Sequence, residues 1–190
     1  MLSALIAHIS KYVSLSDSDI QAIYKHTEPV NVKKKDYLLK EGQICRSNYF
    51  VAEGCLRMFF INEKGSEQIT QFAIEHWWLA DYMSFTMQSA SKFNIQAIEG
   101  SVLIALDHHK QEELLKEVPQ LERYFRLMMQ RAYAAMQQRF KFLYDFSKED
   151  SYLHFVNNFP GFVQRVPQYM LASYLGFTPE YLSEIRKKIR

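Results

Sequence analysis

Cysteine is nearly missing from this chain: among 190 residues only Cys45 and Cys55 occur. Two thiols fall short of the four ligands of a usual iron–sulfur cluster, and neither C-x-x-C nor C-x-x-C-H spacing is present. A reduced, cytoplasmic setting is therefore expected. Long apolar runs are also lacking. None approaches the roughly 20 residues that a membrane-spanning helix needs, so no membrane partner is expected. The N-terminal stretch "MLSALIAHISKYV" is amphipathic and has too little early basic charge for a signal peptide. With six glycines in all, there is no glycine-rich phosphate loop and no G-x-S-x-G elbow. No His-x-His occurs, and the adjacent His108 and His109 cannot easily share one ion. These absences lead to an expectation of no metal, no cofactor and no catalysis.

What is present is core material and a lopsided charge. Hydrophobic residues make up 48% and aromatics 15%, which is ample for a packed core and argues against disorder. The net charge of +2 hides two opposite halves. Residues 1–120 hold 12 Lys and Arg against 15 Asp and Glu, a balance of −3, while residues 121–190 hold 11 against 6, a balance of +5. A basic C-terminal third on an acidic body points to a polyanionic partner there.

The periodicity changes along the chain. Apolar residues at 2, 5, 6, 9 and 13 predict a helix, and Ser16-Asp17 caps a second one running to about His26. From Glu28 to Asp107, short runs rich in Val, Ile, Tyr and Phe alternate with Gly42, Gly54 and the "NEKG" of residues 62–65. That pattern predicts about eight hairpin-linked strands closed into a small barrel or jelly roll. Trp77 and Trp78 would either line an aromatic ligand pocket or fill the barrel core. A short helix is stopped at Pro119. Leu121 to Phe146 then contains no glycine or proline and carries an apolar stripe at spacings of three and four. The stripe is too long for a barrel of this size to cover, so a second copy of the helix is the simplest partner. The expected dimer seam is Leu121, Tyr124, Phe125, Met128, Ala132, Ala135, Met136 and Leu143. Ser147 caps one more helix, which ends before Pro160.

The last twenty residues read "LASYLGFTPEYLSEIRKKIR". Gln168 to Leu175 forms one helix, Gly176 makes the turn, and Thr178 caps a second helix with Pro179 at its first position. Ala172 allows a close crossing, while Leu182 and Ile185 pack back on the first helix. This spacing is a helix-turn-helix pattern. Glu180, Tyr181, Ser183, Glu184 and Lys187 then face outward. Thr178, Arg186, Lys187, Lys188 and Arg190 complete the candidate DNA surface, the basic ones as phosphate contacts.

The order of strand-rich domain, long helix and helix-turn-helix resembles the Crp/Fnr family of bacterial transcription regulators over nearly the whole chain. In the barrel the resemblance rests on "YLLKEG", "YFVAEGCLRMFF" and "GSEQITQFAIEHWWLAD". It implies an α+β fold: a cyclic-nucleotide-binding-like jelly roll with flanking helices at 1–118, a dimerisation helix at 119–146, and a helix-turn-helix domain at 147–190. It implies a homodimer on double-stranded DNA and a small-molecule effector of unspecified chemistry, with a candidate pocket at Ala80, Asp81, Ser91 and Lys92. The departures matter. Leu79, Ala80 and Asp81 stand where cyclic-nucleotide binders have Phe-Gly-Glu, and Ser91-Lys92 stands where they have Arg-Ser. On a strand, Lys92 would point to the opposite face from the missing Arg, so no cyclic AMP binding is expected. Of the recognition-helix pattern Arg-Glu with a later Arg, only Glu180 matches, because Pro179 and Glu184 replace the arginines. Almost no wing follows. A ligand-binding or protein-interaction module that has lost DNA binding is the alternative reading.

Overall fold

The computed structural model describes residues 2–189. Its backbone falls into two compact units: Met1–Phe60 with Gln71–Met128, and Ile61–Thr70 with Met129–Arg190. In the first unit, α1 (Leu2–Ile9) and α2 (Asp17–His26) precede the strands. Ser16 starts α2 with a reciprocal capping box: its hydroxyl accepts from the Asp19 amide at 3.2 Å, and its own amide donates to the Asp19 carboxylate at 2.8 Å. Such a cap contributes about 1 kcal/mol.

Eight strands follow: β1 (Thr27–Val32), β2 (Tyr37–Leu39), β3 (Ser47–Glu53), β4 (Leu56–Ile61), β5 (Glu67–Ala73), β6 (Trp78–Leu79), β7 (Asn94–Ala97) and β8 (Ser101–Asp107), with α3 (Tyr82–Met87) between β6 and β7. They form two four-stranded sheets, ordered β1-β8-β3-β6 and β2-β7-β4-β5. Long-range pairing sets the registers, as where Phe50 of β3 faces Ile104 of β8 antiparallel.

Strand alternation then sorts side chains into two cores. Val51, Leu103, Leu56, Ala73, Leu79 and Ile95 meet inside the jelly roll. Their neighbours Phe50, Ile104 and Leu106 point the other way, against α1, α2, α4 (His108–Glu117) and the first turns of α5 (Leu121–Asp145). That explains why β3 and β8 read as nearly continuous apolar runs: both faces are covered. Trp78 fills the outer core and Trp77 is exposed, so the tryptophan pair divides between packing and solvent.

The second unit contains the rest of α5, then α6 (Lys148–Asn158), α7 (Pro160–Arg165), α8 (Gln168–Leu175) and α9 (Pro179–Ile189). Ser147 caps α6 by accepting from the Asp150 amide at 3.1 Å. Pro160 ends α6 as the sequence predicts, but it also opens α7 from its first position, where a missing N–H costs nothing. Among the described residues no strand follows β8. The break between units falls after Met128, because the first turns of α5 are buried in the first unit's own core.

Candidate nucleic-acid interface

Gly176 adopts φ +76°, the left-handed conformation that stops α8, and the Phe177 amide bonds back to the Ala172 carbonyl at 2.8 Å. Two residues later Thr178 starts α9, its hydroxyl accepting from the Tyr181 amide at 3.2 Å. Ala172, Leu182 and Ile185 are buried with Leu171 and with Tyr152 of α6 in one small core. This is the geometry the spacing requires.

The outer face of α9 presents Glu180, Ser183, Glu184, Lys187 and Lys188 to solvent, and Thr178 at the cap is exposed as well. Arg186 is half-buried. Lys188 lies 3.6 Å from the Glu149 carboxylate on α6, so its charge is partly engaged. Tyr181 departs from the expectation that it faces outward. It packs on the small core, edge-on to Phe177 at 5.9 Å and beneath the Lys148 ammonium at 4.9 Å. At the third position of α9, the helix turn rotates an aromatic ring toward α8's end instead of toward a groove. Arg190 lies outside the described residues.

The long helix needs a correction. Leu121 and Tyr124 are 1% and 0% exposed, so neither is available to a second chain. The Tyr124 hydroxyl accepts from the Trp78 indole at 2.8 Å and pairs with His8 Nδ1 at 2.9 Å. Burial drives its pKa well above the ordinary phenol range. Phe125 packs on Trp78 with ring centroids 5.4 Å apart, and Met128 joins the same core. From residue 129 to 138 every side chain of α5 is exposed. That stretch includes Ala132, Ala135 and Met136 as expected. It also includes Met129 and Tyr133, and Phe140 and Tyr144 extend the line, all exposed. Their spacing of four, three, four and four resembles that of coiled-coil seams. The sequence stripe contains Met129 and Phe140, yet periodicity alone does not separate the covered part from the free part. The Leu143 side chain lies outside the described residues.

Of the four residues expected at an effector pocket, three are buried and two of these bond to each other. Asp81 caps α3: one carboxylate oxygen accepts from the Met83 amide at 3.2 Å and the Ser84 amide at 3.4 Å. The other oxygen accepts from the Ser91 hydroxyl at 2.6 Å. Ala80, Asp81 and Ser91 are each 5% exposed or less. Lys92 sits on a bend before β7 and is exposed. An open cleft of about 540 Å³ lies elsewhere in this unit, lined by Leu38, Leu39, Gln43, Ile44, Arg46 and Tyr49; none of the four expected pocket residues borders it. Among the described residues no group of three or more His, Cys, Asp or Glu is placed to hold a metal ion, and no helix is long and apolar enough to cross a membrane.

Residues 29–118 match the family described as the cyclic nucleotide-binding domain. The regulatory protein HlyX of Actinobacillus pleuropneumoniae is 25% identical over 167 residues, covering 81% of this chain and 68% of HlyX. The chain spans about half the length of the transcriptional activators Anr of two Pseudomonas species, which it also matches. Among solved structures, FixK2 from Bradyrhizobium japonicum shares the fold with a TM-score of 0.73 at 14% identity, over 86% of this chain and 84% of that one. A protein from Eubacterium rectale assigned to the Crp/Fnr family of transcriptional regulators gives a TM-score of 0.69 at 13% identity, over 92% and 83%. The chain is thus similar to regulators of the Crp/Fnr type in sequence and in fold. The jelly roll, the long helix and the helix-turn-helix follow one another along the chain.

Proposed function

We propose that this chain is a DNA-binding transcription regulator working as a cytoplasmic homodimer, without catalytic activity of its own. The observation that carries the reading is the buried Ala172–Leu182–Ile185 scaffold turned by Gly176, which leaves Glu180, Ser183, Glu184 and Lys187 of α9 exposed. A second helix presented in this way enters the major groove. Lys187, Lys188 and Arg186 supply phosphate contacts, and Ser183, Glu180 and Glu184 lie where base edges are read. Two such helices engage one face of DNA when set roughly 34 Å apart. The exposed α5 seam from Met129 to Tyr144 supports the pairing that would set this distance.

The sensory barrel of this reading does not use cyclic AMP. A buried cyclic phosphate needs a positioned cation and free donors. Here the α3 amides and the Ser91 hydroxyl are already given to Asp81, whose carboxylate adds a negative charge. The test is fluorescence anisotropy with duplexes selected from a random-sequence pool. Affinity should fall steeply and linearly with log salt concentration. Binding absent at low salt would leave the protein-interaction reading instead.

A further inference from the structure

Within the second unit, the hairpin tip Ile61–Thr70 is fastened to the first helix of the helix-turn-helix. β5 lies at the edge of its sheet, and an edge strand has backbone groups that need partners. One side chain serves two of them: the Ser173 hydroxyl donates to the Glu67 carbonyl at 2.7 Å and accepts from the Ile69 amide at 3.0 Å. In return the hairpin closes the end of α8. The Gln68 amide donates to the Ser173 carbonyl, which also accepts from the Gly176 amide at 3.2 Å. Arg139 of α5 completes the fastening. It donates to the Thr70 carbonyl and, at 2.9 Å, to the Tyr174 carbonyl, with its guanidinium 4.0 Å above the Tyr174 ring. A cation is favoured at that helix end.

We infer that Ser173, Gln68 and Arg139 are positioning residues for DNA binding: they brace α8 against the hairpin and α5, so that α9 is presented in one orientation. This rests on the DNA-binding reading. The contacts involve the C-terminal end of α8 and leave Glu180, Ser183, Glu184 and Lys187 exposed, so the device braces the recognition helix without covering it. Pre-set recognition helices bind with a smaller ordering cost than loose ones.

The test uses the full chain and duplexes selected by the parent protein from a random-sequence pool. Ser173→Ala and, as a surface variant with little risk to folding, Gln68→Ala should each weaken binding about tenfold. The salt slope should not change, because no phosphate contact is touched. Ser173→Thr keeps a hydroxyl and should restore affinity. Hydrogen exchange should show the Ile69 amide losing protection in Ser173→Ala and keeping it in Ser173→Thr. Parent-like affinity in Ser173→Ala with Ile69 deprotected, or tighter binding in either alanine variant, overturns the brace alone. A parent protein that recovers no duplex from the pool overturns the DNA-binding reading, and this inference with it.

Discussion

Ser101 stands where Gly54 would carry a side chain. A Cβ built there falls 2.2 Å from the Ser101 hydroxyl oxygen and 2.8 Å from its Cα, and the backbone is at φ +106°. Close approach and a left-handed conformation together explain the glycine. Gly54→Ala should cost about 3 kcal/mol, read as a lower urea midpoint; an unchanged midpoint would show that the turn relaxes freely. Tyr49 gives a pH-dependent counterpart. Burial pushes its phenol from 10.0 up to about 12. Between those values the unfolded chain releases a proton that the folded chain keeps, so the contribution is complete below about pH 10 and disappears as pH rises through about 12. The hydroxyl's contact to the Leu38 carbonyl is long, 3.5 Å. Tyr49→Phe should therefore change neutral-pH stability little and flatten the alkaline loss in urea titrations. An alkaline limb identical to the parent's would contradict that account.

Elements raise a different question, which is what covers each face. From 129 to 138 α5 is bare all round, and a helix with Met, Tyr and Phe along one line does not remain solvated where a matching copy is available. Met136→Glu combined with Phe140→Glu would place like charges across the seam and should yield folded monomers by sedimentation. A dimer of parent mass would move the interface elsewhere. On α9 the two lysines should differ. Lys187 is exposed, whereas Lys188 already faces Glu149 at 3.6 Å. Lys187→Ala should lower the salt slope by about one counterion, and Lys188→Ala should lower it less. Equal slopes in both variants would mean that the Glu149 pair breaks on binding at no cost.

At the scale of the whole molecule, the jelly roll's response to cyclic AMP is open to direct measurement. Asp81 and Ser91 come from separate segments and meet at 2.6 Å, so a phosphate brought there would face a carboxylate of the chain itself. Titration calorimetry with micromolar cyclic AMP should give no binding heat, and cyclic AMP should leave DNA affinity unchanged. A micromolar site abolished by Lys92→Ala would show that the exposed bend folds inward around the ligand.

Much of this was legible along the chain because it depends on neighbours in sequence. The Ser16 and Ser147 caps, the Gly176 turn with Thr178 after it, and the strand texture between Glu28 and Asp107 all arise from residues within a turn or a hairpin of one another. Their conformations are decided by local sterics and local hydrogen bonds. Which face of an element meets which partner is a different kind of fact. Tyr124 pairs with His8, 116 residues away, and Ser173 binds Glu67 across 106. Periodicity marks an apolar stripe on α5 but carries no information about where the protein's own core stops covering it. It likewise gives Tyr181 as an outward position, until Phe177 and Lys148 are brought against its ring. The sequence by itself determined most of the elements, their order and the resemblance to Crp/Fnr regulators, but not α3 or α7. Only the tertiary structure decided which residues are occupied within the chain and which remain free to bind, because burial and pairing belong to contacts that no local window contains.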